Sequence, residues 1–403
     1  MNDMLFPSTR SAALIRLENF LPLAAQHYAR GRNSDLGPGY LATVSKLSPY
    51  IRYRILAEQE ILAHVLAIHS AESAQKYIEE VLWRSYWKGW LELHPTLWSF
   101  YNSEVEREKS IVGLHVLRQA EQGLTGIEGF DDWAKELNHT GHLHNHARMW
   151  FASIWIFTLE LPWVLGADYF LRHLIDADVA SNTLSWRWIA GLHTRGKSYL
   201  ATSENINRYT GGRFNPKGLA KTAYKINDGW QEDYTEITPL PQPNQYASSI
   251  LLIHHDDLHP EIDIIEKYKF ESVVMINDRD LLFGERAQAF VKGAIDDSKE
   301  RFQSFLKCPV VIKDKLDCEI LLEICRSLNA TQIITSYAPV GPIEKKFFEI
   351  GPVLAQNGVS FIQLRRRWDD YLWPKATHSF FKFRERVLPD LISSKFLVSN
   401  NAK

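Results

Sequence analysis

Two carboxylates, an amide and two indoles are crowded into one short stretch of the chain, LIDADVASNTLSWRW. Asp178, Asn182 and Trp186 are spaced four residues apart, so on a helix they would share one face. Asp176 lies two residues earlier, at the expected start of the helix, and Arg148 in HNHARM could pair with it. One interpretation is a helix cap with a structural ion pair. The other is that these polar groups surround a polar, redox-active ring.

Tryptophan is the outlier in the composition, with 13 in 403 residues and ten of them before residue 190. Indole rings are large and electron-rich, so this many suggest stacking surfaces, although an aromatic core would also use them. The net charge of −2 gives no general reason to expect a nucleic-acid partner. However, residues 187–225 carry eight Lys/Arg against one acid, which fits a phosphate-backbone footprint or simply a solvated face.

Three cysteines, Cys308, Cys318 and Cys325, are too few for a disulfide framework or a four-cysteine cluster. We therefore expect a cytoplasmic location and no metal cluster. The N-terminus has no signal-peptide pattern. The most apolar stretch, MWFASIWIFTLELPWVLGA, contains Glu160 and Pro162, so it predicts a buried helix and no membrane span.

Two kinds of periodicity divide the chain. Residues 1–235 repeat apolar residues at intervals of three and four, which predicts a helical domain. The proline-rich segment 236–248 predicts a linker. Residues 249–390 alternate short apolar runs with helical stretches and end in a helix, which predicts a doubly wound parallel α/β domain, with 391–403 as a tail. HHDDLHPE follows the first run, where a glycine-rich dinucleotide fingerprint would stand. The predicted strands are SILLIH, SVVMIN, PVVIK, TQIITS and VSFIQL.

TGHLHNHARMWFAS and LPWVLGADYFLRHLIDADVASNTLSWRW resemble the flavin-binding core of the DNA photolyase and cryptochrome family, and the resemblance extends over most of residues 10–190. It implies an all-helical domain that holds FAD folded into a U. VSKLSPY resembles the serine-rich phosphate-binding turn of the family, where hydroxyls and a helix start could hold a pyrophosphate. The resemblance implies these cofactor-binding residues: Ser45, Leu47, Ser48, Arg84, Asn145, Arg148, Asp176, Asp178 and Asn182.

The resemblance also implies how the cofactor is held. Arg84 would contact the FAD phosphates, and Asn145 would lie near the flavin ring. Arg148 would pair with Asp176, and Asp178 would hydrogen-bond the flavin–ribose region.

Four residues have catalytic roles by the same resemblance. Asn182 would face flavin N5, where an uncharged amide can accept a hydrogen bond without adding negative charge. Trp186 and Trp163 would be the first two members of a tryptophan chain for photoreduction, and Glu80 would hydrogen-bond the substrate. The third position of the tryptophan chain falls near Ser110, and the candidates that remain open for it are Trp98, Trp133 and Trp155.

The substrate side carries a second set of implied contacts. Indole faces would recover the cost of flipping a damaged base pair out of DNA. Relatives that repair (6-4) photoproducts place a histidine after the matching arginine, whereas this chain has Met149, which favours the cyclobutane dimer. The implied substrate- and DNA-binding residues are Glu80, Trp83, Met149, Trp188, Arg32 and His146.

The chain departs from the family pattern in domain order and in local detail. The family normally begins with an α/β domain, whereas here the helical domain comes first. LLIHHDDLH and ATHSFFKFRERVLP resemble the opening and exit segments of that missing domain, which indicates a circular permutation; an unrelated α/β domain is the alternative. Leu184 and Ser185 replace paired glycines, His146 replaces an arginine, and 191–216 differs from the usual segment, so the shape of the binding rim is expected to differ.

The function that the resemblance implies is light-driven repair of DNA. Reduced FAD, excited by blue light, would donate an electron that splits a cyclobutane pyrimidine dimer, so the partner would be UV-damaged DNA. No metal is needed for that reaction. A second, antenna chromophore is expected, but no motif identifies it. The alternative is a cryptochrome-like photoreceptor that binds FAD, signals through a protein partner and repairs nothing. A flavin-binding relic with neither activity is a third possibility.

Overall fold

The computed structural model describes residues 5–37 and 43–393, without the side chains at positions 263 and 264. The first half of the chain is helical, as its periodicity predicts, because apolar residues three and four apart form buried stripes. Its helices are α1 Arg10–Phe20, α2 Gln26–Gly31, α3 Ser48–Arg52, α4 Glu58–Ile68, α5 Gln75–Leu93, α6 Thr96–Ile111, α7 Leu114–Gln122, α8 Phe130–Thr140, α9 Asn145–Ser153, α10 Trp163–His173, α11 Val179–Ile189 and α12 Ser203–Tyr209.

The most apolar stretch is buried, as predicted, but it is not one continuous helix. After α9 the chain makes a π-helical turn over Ile154–Thr158. Pro162 then precedes α10, since proline cannot continue a helix from within. The Trp155 indole N–H donates to the Pro162 carbonyl at 3.0 Å and closes the bend. This bend brings α10 alongside α11.

The last helix of the first half ends at Tyr209, before the predicted domain boundary at residue 235. Residues 210–248 form neither helix nor strand. Gly211, Gly212 and Gly218 adopt positive φ values, which glycine tolerates and a helix does not use. The segment still lies on the helical half, because the Thr235 amide donates to the Leu93 carbonyl at 2.8 Å. The predicted linker is therefore the last part of a longer irregular segment.

The second half is a doubly wound parallel α/β layer, which confirms the predicted fold class. The strand order is β3-β2-β1-β4-β5, and all four pairings are parallel. Helix α18 ends two residues beyond the predicted boundary, and the predicted tail from residue 394 lies outside the described residues. The elements are β1 Ser249–Ile253, α13 Ile262–Ile265, β2 Phe270–Ile276, α14 Glu285–Leu306, β3 Val310–Lys313, α15 Cys318–Leu328, β4 Gln332–Ser336, α16 Pro342–Gln356, β5 Ser360–Leu364, α17 Arg367–Leu372 and α18 Phe380–Ile392.

The two halves share one hydrophobic core and several buried polar contacts. Leu17 of α1 and Leu251 of β1 belong to the same cluster of buried side chains. Gly89 of α5 lies so close to the backbone of Trp373 that an added Cβ would be 2.7 Å from its Cα. The Trp368 indole N–H donates to the Ser85 hydroxyl at 2.9 Å. Helix α5 is thus packed between the two halves.

Candidate functional site

The polar face of α11 packs against α10. Asp178 is the N-cap, and its carboxylate accepts from the Ser181 amide at 2.7 Å. The Asn182 side-chain amide donates to the Ala167 carbonyl at 2.9 Å. Trp186 covers Gly166, where an added Cβ would lie 2.3 Å from the indole ring. Asn182 and Trp186 thus share the face that meets α10, whereas Asp178 precedes the helix and its carboxylate faces Arg84.

Arg148 and Asp176 form the predicted ion pair, with Arg148 Nη2 and Asp176 Oδ2 2.9 Å apart. Burial alone would raise the pKa of Asp176, but the Arg148 guanidinium outweighs burial and holds that pKa below its usual value. The second oxygen of Asp176 and the Ser181 hydroxyl are buried with no hydrogen-bond partner among the described residues. A polar ligand here would satisfy both groups.

Arg84 is held by acids in this structure. Its guanidinium lies 3.1 Å from Asp178 Oδ2 and 3.3 Å from Glu58 Oε1. Lys88, one turn further along α5, is also buried, and burial together with neighbouring arginines lowers its pKa to about 8. The expected contact between Arg84 and FAD phosphates stays a prediction, because its donors serve carboxylates here.

Sequence reasoning missed the ion pairs that join this region to the α/β half. Arg52 Nη1 donates to Asp256 Oδ1 at 2.5 Å and Arg52 Nε donates to the Ala177 carbonyl at 2.6 Å. Asp257 binds Arg366 through both carboxylate oxygens, at 2.7 and 2.8 Å. The signal was HHDDLHPE, because two buried aspartates after a strand require cationic partners. Both aspartates follow β1, at the position where a glycine-rich dinucleotide-binding fingerprint would otherwise stand.

The serine turn is compact and lies at the start of the short helix α3. The Ser45 hydroxyl accepts from the Leu47 amide at 3.4 Å, and Ser48 is the first helical residue. Leu47 is fully buried, whereas both serines are half-buried. Lys46 between them has a φ of 52°, which turns the backbone sharply. The turn has hydroxyl donors that fit a phosphate, as expected for the FAD pyrophosphate.

Glu80 lies next to the predicted flavin contacts. Its Oε1 accepts from the Asn145 side-chain amide at 3.3 Å. Burial raises the pKa of Glu80, and the positive charge of Arg32 opposes that rise. The same arginine acts on His146, whose pKa is lowered to about 4, mainly by burial, so its imidazole is neutral at pH 7. The structure therefore groups four of the predicted site residues.

The side chains predicted to contact the substrate are half-buried, and they pack on different clusters of the core. Trp83 packs on the cluster shared by the two halves, and Met149 packs on the cluster of the helical half. Trp188 packs against both clusters, and its ring lies 6.0 Å from that of Tyr199. One face of Trp83 is covered by Phe380, with ring centroids 3.7 Å apart. Their contact with substrate stays a prediction.

The predicted first two tryptophans of the electron chain are both buried. Trp186 contacts Phe170 edge to face, at a centroid distance of 5.1 Å. Trp163 lies 5.6 Å from the guanidinium of Arg187, which is paired with Asp228. Positively charged guanidinium next to an indole face is a favourable contact for the neutral ring.

A separate cavity of about 530 Å³ lies between the end of β5 and the irregular segment. Its wall combines apolar side chains with cations and one acid, Asp370, which pairs with Arg365. Residues that line it include Ile237, Leu240, Lys267, Tyr268, Arg365 and Arg367. Over residues 5–37 and 43–393, no group of three acidic, histidine or cysteine side chains could hold a metal ion. No helix in those ranges is both long and apolar enough to cross a bilayer.

A known protein family matches a large part of the helical half. Residues 77–219 match the family described as the FAD binding domain of DNA photolyase. The helical half therefore contains a FAD-binding domain of the DNA photolyase and cryptochrome family. FAD is therefore the cofactor of the helical half, and residues 77–219 contain the predicted contacts from Arg84 to Asn182. The serine turn lies outside the matched residues.

Individual photolyases are similar in sequence to about half of this chain. A deoxyribodipyrimidine photo-lyase from Vibrio cholerae is 28% identical over 210 residues, which cover 50% of this chain and 43% of that protein. One from Streptomyces griseus is 31% identical over 195 residues, covering 48% and 40%. The solved cryptochrome of Synechocystis sp. PCC6803 is 25% identical over 50% of this chain and 43% of its own, with a TM-score of 0.41. The chain thus spans less than half the length of these relatives.

Proposed function

We propose that this photolyase-family protein is a light-driven enzyme that splits cyclobutane pyrimidine dimers in DNA. The observation that carries the proposal is the position of Glu80. Its carboxyl is bonded to Asn145, an expected flavin neighbour, and Trp83 follows three residues later on the same face of α5. A hydrogen-bonding group and an indole would thus meet a flipped-out base beside the cofactor.

FAD would be held by the serine turn, by Arg84 and Asn145, and by the α11 polar face with its Arg148–Asp176 pair. When bound in reduced form and excited by light, FAD supplies one electron to the dimer. The Asn182 amide donates to a backbone carbonyl, which leaves its oxygen to accept from the cofactor. Asp178 and Asp176 stay ionised at pH 7, because neighbouring arginines and lysine lower their pKa values against the effect of burial.

The chain's own groups would bind and steady the dimer. Burial raises the pKa of Glu80, so its carboxyl takes up a proton more readily and can donate to a pyrimidine carbonyl. Trp188 and Trp83 would supply indole faces, and Met149 a polarisable thioether. The reaction breaks the two bonds between the pyrimidines, after which the electron returns, so no net redox change results.

Exposed cations on the loop between α11 and α12 and on the irregular segment would contact the DNA backbone. Arg195, Lys217, Lys221 and Lys225 are all exposed. Their local excess of positive charge would attract phosphates in a protein whose net charge is slightly negative. The binding of a dimer-containing oligonucleotide should accordingly weaken as the salt concentration rises.

The decisive experiment uses anaerobically reduced, FAD-loaded protein and an oligonucleotide with one thymine dimer. Blue light should convert the dimer to thymines, as measured by chromatography, and dark samples should not change. Glu80→Ala and Trp188→Ala should slow repair about tenfold or more while FAD content is kept. Unchanged dimers despite bound, photoreducible FAD would reject repair and support the photoreceptor with a protein partner. Normal repair by both variants would reject the substrate-site assignment.

We also propose that the cavity beside β5 binds the second, antenna chromophore. Lys267 would hold its anionic group, since Arg365 and Arg367 pair with Asp370 and Glu261, and Tyr268 would contact its ring. A native absorption spectrum with a band beyond those of FAD, lost in Lys267→Ala, is the expected result. A spectrum fully explained by FAD, with cofactors supplied during expression, would reject this assignment. The domain permutation remains a proposal on the same footing, supported by the parallel sheet of the second half.

A further inference from the structure

Arg52 and Tyr53, at the end of the short helix α3, both bind the loop 175–178 that precedes α11. Arg52 Nε donates to the Ala177 carbonyl at 2.6 Å. The Tyr53 hydroxyl donates to the Ile175 carbonyl at 2.7 Å. Helix α3 begins at the serine turn, so its five residues connect the expected phosphate site to this loop. Two parts of the expected cofactor site are therefore joined through one short helix.

The loop 175–178 carries two of the carboxylates that we expect to contact FAD. Asp176 and Asp178 flank Ala177, whose carbonyl is the group that Arg52 holds. Asp178 Oδ2 also lies 3.8 Å from Arg52 Nε. The peptide units on either side of Ala177 are rigid planes, so a shift of its carbonyl would move both carboxylates. Arg52 thus fixes the part of the loop from which both acids project.

The other end of the Arg52 guanidinium is held by the α/β half. Arg52 Nη1 donates to Asp256 Oδ1 at 2.5 Å, and the two side chains are only 6% and 10% exposed. A buried guanidinium needs carboxylate partners, because leaving it unpaired costs several kcal/mol. The Leu258 amide, in the same segment as Asp256, donates to the Tyr53 carbonyl at 3.0 Å. The segment after β1 therefore contacts both residues that hold the loop 175–178.

Asp256 is itself anchored within the sheet through His254. The Asp256 amide donates to His254 Nδ1 at 3.3 Å, and His254 Nε2 lies 2.9 Å from the Ser336 carbonyl at the end of β4. Both bonds require a neutral imidazole with its proton on Nε2. Burial lowers the pKa of His254 and favours that form, although the Asp256 charge opposes the shift. Hydrogen bonds thus run without a break from β4 to the Ala177 carbonyl.

We propose that Asp256 of the α/β half is a positioning residue for the cofactor, because through Arg52 it sets the place of the loop 175–178. Without the Asp256 carboxylate, the Arg52 guanidinium would be drawn towards Asp178, since attraction between buried charges is strong. The Ala177 carbonyl would then lose its donor, and the loop would no longer be held in one position. The inference rests on the proposed contacts of this loop with FAD and does not depend on DNA repair.

The test compares two neighbouring aspartates. Asp256→Asn removes the charge that holds Arg52. Asp257→Asn is the matched control, because Asp257 is also buried but binds Arg366 of its own half. Asp256→Asn should raise the Kd of FAD for the FAD-free protein about tenfold, the loss expected if about one molecule in ten keeps the loop in place. It should also change the visible circular dichroism of the bound flavin. Asp257→Asn should lower the free energy of unfolding in urea and leave both flavin measurements at wild-type values.

Amide hydrogen exchange of the wild-type protein gives a second measurement that needs no variant. FAD binding should slow exchange in residues 254–258 as well as in residues 174–182, because coupling between two sites is reciprocal. This measurement decides the question even if Asp256→Asn fails to fold. Protection of 174–182 alone would overturn the proposal, and so would equal losses of FAD affinity in Asp256→Asn and Asp257→Asn.

Asp176→Asn separates failure of this inference from failure of the proposed cofactor contacts. If Asp176→Asn weakens FAD binding and Asp256→Asn does not, the loop binds FAD but Asp256 does not position it. If neither variant weakens FAD binding, the loop does not contact the cofactor, and both proposals are rejected. Weaker binding by both, with wild-type binding by Asp257→Asn, is the result that we expect.

Discussion

Trp83 and Phe380 stack face to face, with ring centroids 3.7 Å apart and ring planes 9° apart. Trp83 lies on α5, and Phe380 is the first residue of α18, almost 300 residues later in the chain. A second contact fixes the same two helices, because Arg384 donates to Glu79 at 2.6 Å. The C-terminal helix therefore holds the indole that we propose faces the substrate.

Replacement of Phe380 by leucine tests that support. Leucine keeps an apolar side chain but removes the planar stack, so we expect a loss of about 1 kcal/mol in the free energy of unfolding. The indole would also be freer to rotate, and binding of a dimer-containing oligonucleotide should weaken several-fold. Titration of the oligonucleotide and urea unfolding measure the two effects. Phe381→Leu is the control, since Phe381 is 58% exposed and should tolerate the change. Unaltered binding by Phe380→Leu would show that Trp83 needs no such support.

Replacement of Asp176 by asparagine tests the Arg148–Asp176 pair. Arg148 would lose its carboxylate partner, which we expect to cost up to about 3 kcal/mol, less than a fully buried pair because the Arg148 side chain is 23% exposed. FAD content should fall with it. The double variant Arg148→Gln/Asp176→Asn should recover part of the lost stability, because no unpaired charge remains. Equal stability of wild type and Asp176→Asn in urea would contradict the assignment.

The same pair predicts a pH dependence. The pKa of Asp176 is lower in the folded chain than in the unfolded one, so the folded state stays ionised at a pH where the unfolded carboxyl is protonated. The contribution of this carboxylate to the free energy of unfolding is complete above the unfolded pKa of about 4. It is lost as the pH falls through the lower pKa of the folded state. Unfolding of wild type and Asp176→Asn should therefore converge below about pH 4. A constant difference between them down to pH 2.5 or so would argue against this cause.

The strands could be predicted from the sequence, because each one is encoded by a short run of neighbouring residues. The five strands lie within two residues of the apolar runs that predicted them, because each run is short and bounded by turn residues. Helical periodicity was expected up to residue 235, but the last helix of that half ends at Tyr209, since scattered apolar residues in the irregular segment do not form a helix stripe. The partners of Asp256 and Trp83 could not be predicted, because both are distant in sequence and reach the site only through packing of the two halves.

In the candidate site, too, contacts between sequence neighbours were predictable and contacts between distant residues were not. The four-residue spacing predicted the shared face of Asn182 and Trp186, and the family resemblance predicted the Arg148–Asp176 pair. It could not show that Arg84 would be bonded to Glu58, which lies 26 residues earlier on another helix. Ion pairs between helices depend on crossing geometry, which residue spacing does not contain.

Replacement of Gly166 by alanine tests the packing of α11 on α10. Alanine normally stabilises a helix interior by about 1 kcal/mol relative to glycine. Here the new Cβ would lie 2.3 Å from the Trp186 ring, so the indole must move, and we expect a net loss of about 1–3 kcal/mol. Gly351→Ala is the control, because its Cβ would meet only Phe361, at 3.8 Å, and should stabilise α16. A gain in thermal stability from both changes would show that Trp186 is loosely packed.

Replacement of Glu92 by glutamine tests a buried carboxyl between the two halves. Glu92, at the end of α5, accepts from the Tyr337 hydroxyl at 2.6 Å and from the Val340 amide at 2.7 Å. Burial raises its pKa to about 7, although these bonds and Lys88 oppose the rise and Glu344 adds to it. Between about pH 4.5 and 7 the folded state therefore holds a proton that the unfolded state has released. Stability from this group is complete below pH 4.5 or so and declines as the pH rises through about 7.

The wild type should consequently lose up to about 3 kcal/mol more than Glu92→Gln between pH 5 and pH 8, because glutamine stays neutral throughout. Urea unfolding at both pH values measures the free energy of unfolding of each protein. Subtracting the Glu92→Gln value from the wild-type value removes the contributions of all other titratable groups. Glu349→Gln on α16 is the control, since its side chain is 50% exposed and should leave both values unchanged. Parallel pH profiles for wild type and Glu92→Gln would mean that the carboxyl is ionised in the folded protein at pH 5, with its charge stabilised by Tyr337, Val340 and Lys88.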